Sequence, residues 1–411
     1  MSIPDLSGLH PLPDGWVAKR LKELSPSLSV GVVVNPSSYF DESGSVPFLV
    51  GSNVGENVID WKSARRITEA SNRILAGSRL RASDLVTVRV GEPGVTAVVP
   101  EELDGCNCAS MMIVRQHPLF DSQWLCHVMN SRIGRAQIEG VQYGTAQKQF
   151  NISDAVNFIY PVPPLPEQRA IAAALSDVDA LLGALDRLIA KKRNLKQAAM
   201  QQLISGRTRL PGFTGTWAPT TLGTVGRWFS GGTPAKSNED FWVGDIPWVS
   251  PKDMKVARIH DSIDHVGPSA IGHGTRLLPA DAILVVVRGM ILAHSAPVAR
   301  AERPVTFNQD IKGVVVNPDV DSNFVLWWLV AHESLLLSTT NEATHGTKRI
   351  PTNELFKLSL GLPPLAEQAA IAGAISDMDA ELTALEQRRD KTRLLKQGMM
   401  QELLTGRTRF L

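Results

Sequence analysis

The chain lacks an excess of charge of either sign. Its 411 residues include 42 Lys and Arg against 41 Asp and Glu, whereas nucleic-acid-binding domains commonly have a clear basic excess. Any site for a polyanion must therefore come from a local group of cations. Hydrophobic residues make up 43% of the sequence, which is enough to give each of about two to four domains a core.

Cysteine and long apolar runs are also scarce. The three cysteines, Cys106, Cys108 and Cys126, are odd in number and lack CxxC spacing, so we interpret them as buried reduced thiols of a cytoplasmic protein. The N-terminal segment has no basic run followed by an apolar stretch, so we expect no signal peptide. The most apolar run, residues 324–331, is shorter than the roughly 20 residues that cross a bilayer, and we expect no membrane segment.

Familiar catalytic motifs are missing as well. The sequence contains no HExxH metal motif, no GxSxG elbow and no GxxxxGK phosphate loop. No glycine-rich loop that would suit S-adenosylmethionine follows a strand. The Asn-Pro pairs at residues 35–36 and 317–318 do not complete the Asn/Asp-Pro-Pro-aromatic motif of adenine methyltransferases. These absences argue against catalysis, although an enzyme with an unfamiliar active site stays an alternative.

The sequence does contain a long internal repeat. A segment that begins at Pro163 with PPLPEQRAIAAALSDVD aligns without a gap with one that begins at Pro363 with PPLAEQAAIAGAISDMD. More than half of the paired positions are identical, and both copies close on Gly-Arg-Thr-Arg, at residues 206–209 and 406–409. Chance does not produce such a match, so the chain consists of two related halves.

Each copy of the repeat has the features of a long helix. It opens on a proline pair, which suits a helix start, and closes on a glycine, which suits a helix end. Apolar residues between them alternate steps of four and three, the spacing of a coiled-coil seam. The seam positions are Ile171, Leu175, Val178, Leu182, Leu185 and Ile189, and then Ile371, Ile375, Met378, Leu382 and Leu385. We predict a first helix from about 167 to 205, roughly 60 Å long, and a second one like it.

Two such helices in one chain are expected to pack together. The alternative is an ordinary amphipathic surface helix, but the length, the narrow apolar stripe and the duplication favour pairing. Related halves pack most simply about a pseudo-two-fold axis, as in a symmetric dimer, and such an axis makes the helices antiparallel. We therefore predict an α+β protein, with two α/β regions joined by two long helices that form an antiparallel coiled coil in a pseudo-two-fold repeat.

This prediction divides the chain into four parts. The parts are a first globular region at 1–160, a first long helix at 161–209, a second globular region at 210–360 and a second long helix at 361–411. We predict strands at 84–90, 95–99, 109–114, 282–288 and 310–316, and helices at 122–132 and 323–338. The globular regions have diverged while the helices stayed alike, as expected if the helices meet one kind of partner and the regions bind different targets. Faster drift of loop-rich surfaces is the alternative.

Candidate DNA contacts combine cations for phosphates with amides and hydroxyls for base edges. In the first region they are Arg65, Arg66, Gln142, Tyr143, Gly144, Thr145, Gln147 and Lys148. In the second region they are Thr233, Lys236, Ser250, Lys252, Gly346, Thr347, Lys348 and Arg349, with His345 beginning the last loop and Arg258, Arg276 and Arg288 as weaker candidates. A solvated surface or a plain structural turn is the alternative at each position.

The chain resembles the specificity subunits of type I restriction-modification systems along essentially its whole length. The resemblance rests on the duplicated PPLxEQ…LKQ…GR segments, on GGTPAKSNEDFWVGDIPWVSPKDM at residues 231–254, on FNQDIKG at 307–313 and on the loops GTAQKQFN and GTKRI. It implies two target recognition domains, each of which reads one half of a split, asymmetric site in double-stranded DNA. The first region lacks a clear counterpart of GGTP and of IPWVSPKDM.

The resemblance also implies roles for the helices and for partner proteins. The helices would set the spacing between the half-sites and dock two modification subunits, and restriction subunits that translocate DNA would join them. The docking candidates are Glu167, Gln168, Lys196, Gln197, Arg207, Glu367, Gln368, Lys396, Gln397 and Arg407. The chain itself would hold no cofactor and no metal and would not be an enzyme, with S-adenosylmethionine expected in the modification subunits. A coiled-coil protein scaffold that does not read DNA is the alternative function.

Overall fold

The computed structural model describes residues 12–342 and 346–410. The chain forms two compact units: unit 1 runs up to residue 186 and includes the chain from 387 onward, and unit 2 comprises residues 187–386. Both divisions fall inside the two long helices, Leu165–Ile204 and Leu365–Leu403. Each unit therefore contains one globular region, half of the first long helix and half of the second.

Unit 1 contains two main sheets. The four-stranded sheet has the order Ser29–Val30, Met111–Val114, Leu85–Val88, Thr96–Val98, and the three-stranded sheet has the order Asn107–Cys108, Val46–Leu49, Arg65–Ile67. Smaller pairs join Val17–Arg20 to Ile159–Val162, Val90–Gly91 to Lys148–Gln149, and Val54–Gly55 to Val58–Ile59. Besides the long-helix segments, the α-helices are Leu21–Leu24, Glu69–Ile74, Ser122–Asn130, Arg132–Val141 and Ile152–Ala155.

Unit 2 repeats this plan. Its five-stranded sheet has the order Gly226–Ser230, Ile311–Val316, Ile283–Val286, Val298–Ala301, Arg258–Ile259, and its three-stranded sheet has the order Asp264–Val266, Ile246–Val249, Thr306–Phe307. Smaller pairs join Ala218–Thr221 to Ser359–Leu362 and Asn341–Glu342 to Lys348–Arg349. The shorter α-helices are Ser322–Ala331, Glu333–Ser338 and Thr352–Lys357.

The structure confirms the sequence-based elements with shorter ends. The five predicted strands are present as Leu85–Val88, Thr96–Val98, Met111–Val114, Ile283–Val286 and Ile311–Val316. The helix predicted at 323–338 is broken at His332, whose backbone N–H donates to carbonyls of the preceding turn. Period-two and period-3.6 patterns thus located the elements, because alternation of apolar residues reflects which side of an element is buried.

The two long helices run antiparallel wherever they pair within a unit. In unit 1, Lys396 Nζ lies 2.5 Å from Asp179 Oδ1, and Arg393 contacts Asp186. In unit 2, Lys196 contacts Asp379 and Arg193 contacts Glu386. Each pair in one unit therefore has a counterpart 200 residues away in the other. Of the predicted seam residues, Leu185, Ile189 and Leu382 are buried along the paired helices, whereas Ile171, Leu175, Ile371 and Ile375 are buried in the cores of their globular regions.

A buried carboxylate closes each unit at the start of a long helix. In unit 2, Glu367 is fully buried and accepts two bonds from the Arg209 guanidinium, at 2.5 and 2.6 Å, and one from Trp217 Nε1 at 3.3 Å. In unit 1, Glu167 accepts from Arg409 at 3.0 and 2.8 Å and from Trp16 Nε1 at 3.1 Å. This Arg–Glu–Trp clasp fastens the end of one long helix to the start of the other.

The glutamines that follow the clasp carboxylates cap neighbouring backbone groups. Gln168 Oε1 accepts from the backbone N–H of Asp121 at 2.8 Å, while its Nε2 donates to the carbonyl of Pro163 at 2.9 Å. Gln368 makes the same two contacts with Asp321 and Pro363, both at 2.8 Å. The Glu-Gln pair at each helix start therefore joins the long helix to its globular region.

Two further sequence expectations concern cysteines and membrane spans. All three cysteines are free and buried, as expected, and burial raises the pKa of the Cys106 thiol to about 12. Among the helices of residues 12–342 and 346–410, none combines the length and the apolar character that a membrane span needs.

The clasp makes a prediction about stability. Replacing Arg209 with Ala leaves the buried Glu367 carboxylate without its cation, and an uncompensated buried charge is strongly destabilising. We expect the unfolding temperature of unit 2 to fall by about 5–10 °C, and hydrogen exchange to rise in peptides that cover 214–230 and 359–371. Calorimetry on the full chain measures the unfolding temperature, and hydrogen-exchange mass spectrometry measures the exchange.

Arg207 supplies the matched control for this variant, because it is exposed and lies two residues from Arg209. The change Arg207→Ala should leave exchange in both peptides as in the parent chain. Equal protection in the Arg207→Ala and Arg209→Ala variants would show that the clasp does not hold unit 2 together.

Candidate nucleic-acid interface

The Gly231-Gly232 turn of unit 2 packs without space for side chains. A Cβ at Gly231 would come within 2.0 Å of the Asn308 carbonyl oxygen, and one at Gly232 within 2.1 Å of the Gly274 carbonyl oxygen. Trp248 Nε1 also donates to the Gly232 carbonyl at 3.0 Å. Only glycine permits this approach, so the turn fixes the backbone that leads into Thr233.

Thr233 is joined to a residue far away in the sequence. Its hydroxyl donates to Gln309 Oε1 at 2.5 Å. Gln309 is exposed, while its neighbour Asn308 is buried and Asp310 is half-buried. Asn308 and Asp310 also bond to each other, with the Asp310 N–H donating to Asn308 Oδ1 at 3.0 Å. The Gln309 amide therefore projects to solvent from a backbone that is fixed by hydrogen bonds, and this residue was not among the predicted DNA contacts.

Two arginines meet at one aromatic ring beside this turn. The guanidinium carbons of Arg227 and Arg276 lie 5.1 and 5.2 Å from the centroid of the Phe229 ring. Both arginines are exposed, and neither has an ion-pair partner among the described residues. Because like charges near one ring repel each other, an anion that contacts both would be stabilised. Arg276 was only a weak candidate from sequence, and Arg227 was not proposed.

The Gly346 loop, residues 346–349, connects to the same end of the five-stranded sheet. The Gly289 N–H donates to the Lys348 carbonyl at 3.0 Å, and the Ile350 N–H donates to the Val287 carbonyl at 2.9 Å. Val287 in turn donates to the Asp310 carbonyl at 2.8 Å, one residue from Gln309. The structure thus brings three separate sequence motifs together; we call Arg227, Thr233, Arg276, Gln309 and the Gly346 loop the unit 2 polar surface. His345 lies outside the described residues.

The Gly144 loop, residues 142–149, is the corresponding feature of unit 1. Gly144 has a φ of +97°, and a Cβ there would lie 2.2 Å from the Gln147 carbonyl oxygen. Tyr143 and Gln149 exchange two backbone bonds of 2.9 Å. Gln142 and Lys148 line a cleft of about 550 Å³ that also contains three carboxylates, those of Glu56, Glu92 and Glu139. A phosphate near Lys148 would therefore meet charges of both signs.

Unit 1 contains backbone counterparts of the GGTP and IPWVSPKDM segments of unit 2, although the sequence motifs themselves are absent from it. The strand Val46–Leu49 pairs with its neighbours as Ile246–Val249 does, parallel on one side and antiparallel on the other. Gly31 donates to the Met111 carbonyl as Gly231 does to that of Ile311. The two sequences do not show this equivalence, because backbone pairing is kept while the side chains differ.

Several predicted contact residues of unit 2 have structural roles instead. Ser250 is buried, and its N–H and hydroxyl both donate to Asp253 Oδ2 at 2.8 Å, so it is corrected from a DNA contact to a turn residue. Arg258 forms an ion pair with Glu302 at 2.9 Å, and it also donates to Asn323 Oδ1. Lys252 and Lys236 are exposed, and Lys252 lies 3.8 Å from Asp264.

The remaining DNA candidates stay predictions. Arg65 and Arg66 are exposed on the strand Arg65–Ile67, with Arg65 stacked 4.8 Å from the Phe40 centroid and Arg66 bonded to the Ser45 carbonyl at 2.8 Å. Among the described residues, no hydrogen bond or ion pair joins these two arginines to the Gly144 loop. In that loop, Tyr143, Thr145 and Gln147 are exposed. In the Gly346 loop, Lys348 contacts Glu342 at 2.9 Å, and Thr347 is half-buried.

The docking candidates divide into two groups. Glu167, Gln168, Glu367 and Gln368 are buried and bonded within their own units, as described above. Buried side chains with all their partners inside the unit offer no surface, so these four are corrected from docking contacts to contacts that close the fold. Lys196 and Lys396 are mostly covered and paired with aspartates. Gln197, Arg207, Gln397 and Arg407 are exposed and stay candidates.

Within residues 12–342 and 346–410, no group of three or more His, Cys, Asp or Glu side chains is arranged to hold a metal ion.

Comparison with known proteins gives a match to one protein-family model, whose description is Type I restriction modification DNA specificity domain, over residues 214–394. The specificity subunit of the type I restriction enzyme EcoR124I/EcoR124II of Escherichia coli is 34% identical over 161 residues, which are 39% of this chain and 40% of that protein. The chain therefore spans less than half of that relative. The putative MjaX specificity subunit of Methanocaldococcus jannaschii is 21% identical over 97% of this chain and 95% of that protein.

Two solved structures have a similar fold. The specificity subunit of the type I restriction-modification system of M. genitalium matches with a TM-score of 0.63 and 16% identity, over 95% of this chain and 96% of that chain. A chain from a structure on complex assembly and conformational transition of the type I R-M system matches with a TM-score of 0.57 and 19% identity, over 96% and 99%. At these identities the likeness concerns the fold.

Proposed function

We propose that this chain, which carries a type I restriction modification DNA specificity domain at residues 214–394 and is related to specificity subunits along its length, is the DNA-reading subunit of a type I restriction-modification complex. Each unit would read one half of a split site in double-stranded DNA. The observation that carries the proposal is that two units share one backbone plan and one clasp while their exposed loops carry different side chains.

The unit 2 polar surface has the chemistry that such a role needs. Arg227 and Arg276 offer two unpaired cations for phosphates, which supply affinity without regard to sequence. Gln309, Thr233 and the Gly346 loop offer amide, hydroxyl and backbone groups for base edges. The near-zero net charge of the whole chain is compatible with this arrangement, because a local pair of cations needs no basic excess over the chain as a whole.

Catalysis would reside in partner proteins. We propose that two modification subunits bind S-adenosylmethionine and methylate adenine, that restriction subunits join them, and that the chain itself contributes recognition and spacing. The described residues of this chain supply no cluster of metal ligands. The complex would act in the cytoplasm, where its DNA substrate lies.

Exposed residues at equivalent positions of the long helices are the best docking candidates. Leu195 and Leu395 are 50% and 59% exposed, and Gln197 and Gln397 follow them on the surface. An exposed leucine at both copies of a repeated position matches a partner that binds twice through one kind of contact. We propose that these leucines replace the buried Glu-Gln pairs as docking residues.

The split site can be tested directly. The chain is assembled with its cognate modification subunits, plasmid DNA is methylated, and modified adenines are located by sequencing. We expect two short defined sequences at a fixed separation. Replacing residues 210–360 with the corresponding region of a relative should change one of the two sequences and leave the other. A continuous site, or a change in both halves, would contradict the proposal.

The phosphate role of the arginine pair predicts a change in salt dependence. Arg227→Ala and Arg276→Ala should each weaken binding to all duplexes to a similar degree and lower the slope of log K against log salt by about 1. Fluorescence anisotropy at several salt concentrations measures the slope. Lys357→Ala is the control, since that cation contacts Glu354 at 3.3 Å. An equal change of slope in the Lys357→Ala variant would show that Arg227 and Arg276 do not bind phosphates in particular.

The docking proposal predicts altered stoichiometry. Leu195→Glu and Leu395→Glu should each cost the complex one modification subunit, and the double variant should lose both, because a charge would be buried in an apolar contact. Native mass spectrometry counts the subunits. Val243→Glu, which changes an exposed apolar residue of unit 2 outside the helices, should leave two subunits bound. Full assembly of the double variant would exclude these leucines as docking residues.

A further inference from the structure

The amide of Gln309 has a defined orientation at the surface of unit 2. Thr233 Oγ1 donates to Gln309 Oε1 at 2.5 Å, so the oxygen faces Thr233 and one of its lone pairs is used. Both N–H donors on Nε2 and the second lone pair of Oε1 have no protein partner among the described residues. A free glutamine rotates about its last bond, whereas this one presents a donor and an acceptor in fixed positions.

The backbone on both sides of the pair is held by buried contacts. On one side, Asn308 donates its N–H to the Val249 carbonyl at 2.9 Å, and Thr275 Oγ1 donates to the Phe307 carbonyl at 3.3 Å. On the other, the glycines of the 231–232 turn lie against the carbonyls of Asn308 and Gly274. Polar groups held in this way lose little conformational entropy on binding. They can therefore discriminate between bases, instead of binding every DNA sequence equally.

The cations near this pair would bring DNA to it. Gly274 packs against the Thr233 carbonyl, and a Cβ at Gly274 would lie 2.8 Å from that oxygen. Arg276 follows two residues later. Thr233 itself lies four residues after Phe229, the ring that Arg227 and Arg276 share. Phosphate contacts at the arginines would therefore set the register in which a base edge meets Gln309.

We infer that Gln309 reads an adenine in the major groove within the half-site of unit 2, and that Thr233 is the positioning residue that orients its amide; this inference rests on the proposed function. A glutamine amide pairs with adenine through two bonds, with Nε2 donating to N7 and Oε1 accepting from the N6 amino group. The Thr233 bond leaves both of these groups available.

The test compares variants in the full chain assembled with its modification subunits, on a duplex library randomised over the whole site. Gln309→Ala should relax one A·T position of the unit 2 half-site by roughly 5- to 150-fold in discrimination, and leave the other half-site as in the parent chain. Gln309→Glu should disfavour adenine at the same position, because a carboxylate cannot donate to N7. Gln401→Glu, at an exposed glutamine of the second long helix, should change no position.

Thr233 provides the readout that separates positioning from folding. Thr233→Val keeps the side-chain shape but loses the hydroxyl donor, so it should relax the same base position; Thr233→Ser keeps the donor and should retain the preference. Thermal unfolding of each variant checks that unit 2 stays folded.

The outcomes distinguish this inference from the function on which it rests. If the parent chain selects no sequence from the library, the DNA-reading function itself is wrong. If the parent chain is selective but the Gln309 variants keep its preference, lose affinity equally for all sequences, or relax a G·C position instead, the adenine-reading role is wrong.

Discussion

A carboxylate buried at the start of each long helix requires a cation, and in both units that cation comes from the end of the other long helix. Removing such a group from water costs several kcal/mol unless a partner compensates, so Glu167 and Glu367 are tolerated only when Arg409 and Arg209 are in place. The chain must therefore bring segments far apart in sequence together before either unit is complete. This requirement accounts for the Glu-Gln and Gly-Arg-Thr-Arg motifs at opposite ends of each repeat.

The ion pairs along the two long helices favour one register between them. Lys196 with Asp379 and Lys396 with Asp179 are the same pair made twice, and a helix shifted by one turn would place these charges opposite the wrong residues. Buried or half-buried ion pairs contribute little net stability, but they penalise incorrect registers. For a protein proposed to hold two reading domains at a fixed spacing, a unique register has direct functional value.

The two globular regions keep the same backbone frame of paired strands and turns, while their exposed side chains differ. The strands Val46–Leu49 and Ile246–Val249 occupy the same place in their sheets, and the turns after them close in the same way, on Asn53 in unit 1 and on Asp253 in unit 2. Backbone hydrogen bonds maintain this frame without dictating the exposed side chains. Different polar groups can therefore stand at equivalent loop positions, as expected if the two domains bind different sequences, as proposed.

Sequence patterns predicted the repeat, both long helices, the coiled-coil seam and the principal strands, because burial on one side of an element leaves a local period in the residues. They failed where a side chain's surroundings come from distant segments. Glu367 and Gln368 were docking candidates from the family resemblance, yet packing buries them. Ser250 looked like a hydroxyl for DNA, yet it closes a turn with Asp253.

The sequence by itself therefore determined the two-fold repetition and the type of the long helices and of the principal strands, which depend on neighbours along the chain. Only the tertiary structure decided that Thr233 orients Gln309 across 76 residues of sequence, and that Arg227 and Arg276 share one ring. The physical reason is that a hydrogen bond or a cation–π contact depends on separation in space, and no local pattern of residues encodes that separation.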